Sequence, residues 1–325
     1  MEAMPADATS QIDYSIVVPV YFNEGELDEA MKSLKHDVID CNPKLRGEVI
    51  FVDDGSGDNS FAELLRIRST DPRTVKVIKF TRNFGQVSAL KAGFTRARGK
   101  CVITMSADGQ DPARLIDAML DAYFREHYEI VVCSRQGRDE SYYRILTSKL
   151  FYWMMRRLTF PQMPTGGFDF ILISRKVMQI LLRNRDAHPF LQGQVLWTGF
   201  RTKFIEYQRR NRIVGISRWT FGKKLTYLID GVMSYSFFPI RVISVMGVIV
   251  ALLGFLYAVV IFIVKLTLDI PIQGWAPVMI VILLTGGFQM IMLGIIGEYV
   301  WRTLAQARNR DQYIIEATFE GDGLD

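Results

Sequence analysis

From Val242 to Val264 the chain runs for about 23 residues without one charged side chain, long enough to cross a hydrocarbon core as a helix. Ala276 to Gly297 is a second such stretch, and the loop between them holds only Lys265 and Asp269 as charges. Few soluble folds accommodate two uninterrupted apolar windows of this length, so a membrane hairpin is preferred to a pair of buried core helices. Arg241 precedes the first stretch, and Arg302, Arg308 and Arg310 follow the second. The positive-inside bias therefore predicts both ends of the chain, and everything upstream, on the cytoplasmic side.

The remaining sequence is large enough for one domain of ordinary size. Of 325 residues, 49% are hydrophobic, and the excess is concentrated after residue 236. The net charge of +5 sits beside apolar spans, which points to an anionic membrane face and not to nucleic acid. Cys41, Cys101 and Cys133 are widely spaced and odd in number, arguing for a reducing compartment and against a disulfide framework or a zinc site. Residues 1–13 are polar and acidic and read as a tail without a signal peptide.

Between residues 14 and 220 the pattern alternates. Apolar β-branched runs at 15–20, 48–52, 75–78, 101–104 and 130–133 read as strands, with helices at 26–40, 61–69 and 86–97 between them. This predicts an α/β domain, Rossmann-like with a mostly parallel sheet, whose ligands gather at the carboxyl ends of the strands. Two aromatic, basic segments, 142–158 and 221–240, look like interfacial helices lying in the headgroup plane. Residues 301–325 read as a cytoplasmic tail.

Acidic residues stand where strands end. Asp53-Asp54 closes the second strand, and Ser106-Ala107-Asp108-Gly109-Gln110-Asp111-Pro112 follows the fourth. Each acidic pair alone is a weak signal, because such pairs commonly solvate turns. Two of them at strand ends in one α/β domain suit a nucleoside diphosphate with a hard cation, Asp108 and Gln110 offering oxygen ligands. No GxGxxG follows the first strand and no Walker loop is present, which disfavours dinucleotide and P-loop binding. His36, His127 and His188 are scattered and suggest no metal site. Gly286-Gly287 and Gly294-x-x-Gly297 allow close helix approach in the second span, through hairpin packing or homo-oligomer contacts.

The successive runs SIVVPVYFNE (15–24), VDDGS (52–56), RNFGQVSALKAG (82–93) and SADGQDP (106–112) resemble the signatures of family 2 glycosyltransferases with a GT-A fold. The resemblance covers about residues 14 to 310. It is strongest to the polyprenyl-phosphate branch, which includes dolichyl-phosphate mannose synthases and the bacterial enzymes that load undecaprenyl phosphate with one sugar.

The resemblance implies roles. Pro19, Tyr21, Glu24, Asp53 and Asp54 would line the nucleotide pocket, with Arg82, Asn83 and Gly85 closing the donor site. Asp108 and Gln110 would carry Mg2+ or Mn2+. Arg135 and Arg144 would clamp the acceptor phosphate, a task suited to the planar guanidinium fork. Asp169, in Gly166-Gly167-Phe168-Asp169, would stand near the acceptor. Arg212, Ser217 and Arg218, in a segment matching R-x-x-G-x-S-K-Y, would cover the pyrophosphate. The implied reaction is an inverting transfer of one sugar from a nucleotide sugar, UDP-linked before GDP-linked, to a polyprenyl phosphate, for cell-envelope glycosylation at a bacterial cytoplasmic membrane.

The sequence departs from that pattern in places. Ser106 occupies the first position of the usual Asp-x-Asp, Gly109 replaces a common leucine, Phe22 is inserted beside Tyr-Asn-Glu, and Arg218-Trp219 stands for Lys-Tyr. A phosphate acceptor is already anionic, so Asp169 has an orienting or charge-stabilising role open to it besides that of a base, or it merely caps a turn. Two other functions compete: a processive polysaccharide synthase, for which Arg218-Trp219 lacks the glutamine of Gln-x-x-Arg-Trp, and a non-catalytic membrane protein that binds nucleotide sugar.

Overall fold

Tyr14–Val20 (β1) and Gly47–Asp53 (β2) are buried along nearly their whole length, as strands covered on both faces must be. The computed structural model describes residues 12–135, 152–164, 167–184, 186, 189–208, 230–268, 275–321 and 323–324. The chain divides into two units, Met1–Leu228 with Asp311–Asp325, and Ile229–Arg310.

In the first unit, β1 is followed by helix α1 (Leu27–Leu34), β2, α2 (Ser60–Thr70), β3 (Val75–Phe80), α3 (Gln86–Arg96), β4 (Cys101–Thr104) and α4 (Leu115–Phe124). Then come β5 (Ile130–Arg135), β6 (Phe170–Ser174), α5 (Arg175–Arg183), α6 (Leu191–Trp197) and β7 (Thr202–Tyr207). The described strands form one sheet in the order β7-β5-β6-β4-β1-β2-β3-β8-β9. β4, β1, β2 and β3 run parallel, as do β5 and β7. The sheet is thus mixed and mostly parallel, with β6 inserted antiparallel between β4 and β5. That reversal has a consequence for function. It brings the start of β6, and Asp169 before it, to the edge where β4 and β5 end.

Residues 315–320 are not tail: Ile315–Glu320 (β8) pairs antiparallel with β3, and Gly323–Leu324 (β9) pairs with β8. Alternation in IEATFE supplies a strand pattern, and Tyr313 stacks on Phe80 at 5.1 Å between ring centroids. Glu320 is placed against Lys76 at 3.9 Å and Arg98 at 3.5 Å, while Lys76 pairs with Glu48 at 2.9 Å. The buried acid is thereby matched to cations, which burial requires.

Of the two segments read as interfacial, residues 152–158 and 230–235 are helical, with Trp153 exposed and Met155 buried. Residues 142–151 and 221–229 lie outside the described residues. The second unit holds α7 (Phe238–Leu268) and α8 (Trp275–Ala307). Their apolar spans, Ile240–Val264 and Val278–Ala307, have mean hydropathies of 2.9 and 2.3, and none of either window is buried. Neither is therefore a core helix; both are candidate membrane spans. Within this unit Arg302 pairs with Asp230 at 2.8 Å and with Glu298 at 2.7 Å.

Candidate active site

The chain passes outward through β1, β2 and β3, then crosses back over β1 to β4. Connections therefore diverge between the carboxyl ends of β1 and β4, the place where open α/β sheets leave a crevice for ligands. Every described candidate residue lies along this sheet edge or in the loops leaving it.

On the β1–β3 side, Asp54 organises the ground. Its Oδ1 accepts from the Phe84 N–H at 2.6 Å and its Oδ2 from the Gly85 N–H at 2.9 Å. One carboxylate thus binds the turn after β2 to the Arg82–Gly85 turn after β3. The two turns are pressed together at Gly55, where φ is +69° and a Cβ would lie 2.4 Å from the Arg82 carbonyl carbon. Only glycine fits there. Arg82 reaches back over the Phe84 ring at 4.1 Å and donates to the Asn83 carbonyl at 3.1 Å. Burial pushes the Asp54 carboxyl up to about 6, although the two backbone donors act against it.

Asp53 is fully buried. Its Oδ1 accepts from the Ser56 N–H at 3.1 Å, while its Oδ2 is buried without a hydrogen-bond partner. Burial raises this carboxyl above its ordinary value, and a proton or a ligand N–H would satisfy the orphaned oxygen. Pro19 is half-buried in β1, and Tyr21 is exposed at its end. Glu24 is exposed, and both its oxygens are held by Asn59, through the side chain at 2.7 Å and the backbone N–H at 3.2 Å. Its visible work is to hold the start of α2.

On the β4–β7 side a polar chain crosses four strand ends. Ser106 Oγ lies 2.9 Å from Asp108 Oδ1 and 2.5 Å from Asp111 Oδ2. Gly109, at φ +66°, turns the backbone so that the Gln110 N–H also reaches Asp108 Oδ1, at 3.2 Å. Asp111 Oδ1 accepts from Tyr207 Oη at 2.6 Å. Tyr207 also stands beside Arg135, whose Nη2 lies 3.0 Å from Asp169 Oδ2. Asp169 is fixed further by Thr104 Oγ1, which donates to its carbonyl at 2.6 Å, and by Gln192, which donates to the Phe168 carbonyl at 2.7 Å. Burial opposes the Arg135 charge, but Asp169, Asp111 and Tyr207 outweigh it and hold the guanidinium above its ordinary range.

The structure therefore brings Asp108, Gln110, Arg135 and Asp169 to one edge, opposite Asp53, Asp54, Arg82, Asn83 and Gly85. Arg144, Arg212, Ser217 and Arg218 lie outside the described residues. Three members of the polar chain carry no role in the sequence analysis: Asp111, Tyr207 and Gln192. Asp111 sits inside the SADGQDP run, so its position was a signal; the other two are brought in by folding alone.

Residues 15–181 match the family model described as "Glycosyl transferase family 2". The chain belongs to glycosyltransferase family 2. An uncharacterized glycosyltransferase of Bacillus subtilis (strain 168), YkcC, is 37% identical over 95% of this chain and 94% of its own length. The SfII prophage-derived bactoprenol glucosyl transferase of Shigella flexneri is 32% identical over 95% of this chain and 99% of its own. The solved mannosyltransferase PcManGT from Pyrobaculum calidifontis, in complex with GDP-Man and Mn2+, matches at 17% identity over 69% of this chain and 64% of that one, with a TM-score of 0.47.

This family 2 member is a glycosyl-transfer enzyme with the GT-A architecture expected of it. Whether its site fits a cation can be judged from the acidic loop. Asp108 and Asp111 meet at the Ser106 hydroxyl, so two carboxylates gather negative charge in this loop. Such a place suits a divalent cation. Among the described residues no three acidic, His or Cys side chains converge as a full ligand set. Asp108 and Gln110 are the residues that would hold such a cation, each offering a side-chain oxygen.

Proposed function

We propose that this enzyme transfers one sugar, with inversion, from a nucleotide sugar to a polyprenyl phosphate, undecaprenyl phosphate first among carriers. The observation that carries this reading is the division of one sheet edge. Carboxylates and backbone donors suited to a nucleoside diphosphate lie on the β1–β3 side, and an arginine–aspartate pair suited to an anionic acceptor lies on the β4–β7 side. The near-full-length likeness to a protein named bactoprenol glucosyl transferase supports a lipid carrier and makes UDP-glucose the first donor to test.

Each step is one this chain's residues can serve. Asp53 and Asp54 shape the pocket for the nucleoside, and the Arg82–Gly85 turn closes against it. Asp108 and Gln110 would hold Mg2+ or Mn2+, which when bound supplies positive charge beside the diphosphate. The acceptor phosphate oxygen forms the new bond to the anomeric carbon as the bond to the nucleoside diphosphate breaks, giving a polyprenyl-monophosphate sugar. That oxygen is already anionic, so no base need deprotonate it. Arg135 keeps Asp169 on one donor and has others to offer a phosphate. Asp169 then orients Arg135 and faces the positive charge that develops on the sugar.

Chain connectivity supports a membrane hairpin. The first unit leads into α7, and the chain returns from α8 to pair β8 with β3 of the same sheet. Two crossings restore the starting side; one crossing would not. Arginines after the second span favour the cytoplasm for that side.

Arg135→Ala tests the acceptor half of this reading. It should raise the KM for undecaprenyl phosphate several-fold more than that for the nucleotide sugar. Equal effects on both would refute the assignment.

A further inference from the structure

Gln192 stands in the first turn of α6 and is only 6% exposed. Its amide has one possible orientation. Nε2 faces two acceptors, the Phe168 carbonyl at 2.7 Å and Asp169 Oδ1 at 3.4 Å, so the reverse orientation would set oxygen against oxygen. Oε1 is thereby left buried with no hydrogen-bond partner among the described residues. An unmet buried acceptor is a cost, and the fold bears it to keep the two donors on the other side of the amide.

Those donors meet Asp169 at a telling place. Thr104 fixes the Asp169 backbone through its carbonyl, which leaves the carboxylate to be placed by other groups. It is held at both oxygens, and unequally: Arg135 Nη2 lies 3.0 Å from Oδ2, whereas Gln192 Nε2 lies 3.4 Å from Oδ1. Without substrate the carboxylate rests mainly on the arginine. An arriving lipid phosphate is a second anion drawn to that same guanidinium. As the phosphate takes its share of Arg135, Asp169 keeps its place only if another donor holds the other oxygen. An amide suits that post. It carries no charge, so it does not draw the phosphate as a second cation would, and one nitrogen serves both the Phe168 carbonyl and Asp169.

We infer that Gln192 is a positioning residue for sugar transfer, its amide taking over the Asp169 carboxylate when the acceptor phosphate engages Arg135. The inference rests on the acceptor half of the reading above and deepens it. Hydrogen bonds that are long in a substrate-free site commonly tighten once substrate is bound. Arg135 then governs how well the acceptor binds, and Gln192 how well Asp169 faces the sugar after binding.

The test is steady-state kinetics of the purified full-length protein in detergent, with undecaprenyl phosphate, Mn2+ and the nucleotide sugar that wild type turns over, UDP-glucose being tried first. Wild type is compared with Gln192→Leu and Gln192→Glu, each also melted and assayed where it is folded. Gln192→Leu keeps the bulk and removes both donors. Its kcat should fall about tenfold, with KM for either substrate within about twofold of wild type. In Gln192→Glu the introduced carboxyl donates to Asp169 when protonated and repels it when ionised. The ratio of its kcat to that of wild type should therefore climb as pH is lowered from about 8 towards about 5. Wild-type kcat in Gln192→Leu, a loss confined to KM, or a Gln192→Glu deficit that is the same at every pH would overturn the positioning role and leave the acceptor reading standing. A wild type that forms no lipid product from any UDP- or GDP-sugar would overturn both.

Discussion

Tyr207 Oη lies 2.6 Å from Asp111 Oδ1 across 96 positions of sequence, joining the end of the sheet's edge strand β7 to the loop that carries Asp108. Tyr207 also stands beside Arg135, so one phenol lies between the acidic loop and the Arg135–Asp169 pair. The acidic loop is thus fixed to the end of β7 on this side of the crevice.

Tyr207→Phe removes that link with little change in shape. It leaves Asp111 short of a donor in a buried place, which costs about 1–2 kcal/mol of stability. Loss of the phenol beside Arg135, with the acidic loop freed from β7, should lower kcat/KM for lipid phosphate about tenfold, more than for the donor. Thermal melts and two-substrate kinetics check both parts.

How far all this was legible in advance differs from element to element. Strands β1 to β5 were plain because buried parallel strands read as continuous β-branched runs, and the acids at their ends marked the crevice. β6, β7 and β8 were not foreseen. FILIS is five residues long and follows a Gly-x-Asp loop that drew the reading elsewhere, while TKFIEY and IEATFE alternate too briefly to stand out. β8 was harder still, because it lies beyond two apolar helices and pairs with a strand more than 230 residues earlier. Tyr207 and Gln192 belong to such late elements, and no local pattern could assign them to the site.

Gly55→Ala should damage the donor side specifically. A Cβ would strike the Arg82 backbone at 2.4 Å, and alanine also resists φ +69°. The cost in stability should be about 2 kcal/mol or more, since backbone cannot yield as a flexible side chain does. Nucleotide affinity should fall as the Asp54-bound turns separate. A melt and a UDP titration measure the two effects.

Asp54 predicts a pH dependence. Its carboxyl is raised by burial from 3.8 to about 6, so the folded state holds the proton more tightly than the unfolded one. The associated stability is full below pH 3.8, is lost as pH rises towards about 6, and changes no further above that. Subtracting the Asp54→Asn melting curve from that of wild type should expose this fall. Parallel curves across the interval would contradict it.

Removal of residues 312–325 should unfold or strongly weaken the first unit, although these residues follow both apolar helices. The truncation deletes β8, leaves the outer edge of β3 open, and takes Glu320 from Lys76 and Arg98 and Tyr313 from Phe80. Limited proteolysis of full-length and truncated protein in the same detergent distinguishes an integral strand from a dispensable tail.

The central claim is sugar transfer to a polyprenyl phosphate by a site built around Asp108. Its most direct test incubates purified protein in detergent with undecaprenyl phosphate, Mg2+ or Mn2+, and radiolabelled UDP- and GDP-sugars, beginning with UDP-glucose, beside Asp108→Ala. The account predicts one organic-extractable product carrying a single sugar from one donor, absent in the variant although it melts as wild type does. No lipid product from any donor, with nucleotide still bound, or a product longer than one sugar, would contradict it.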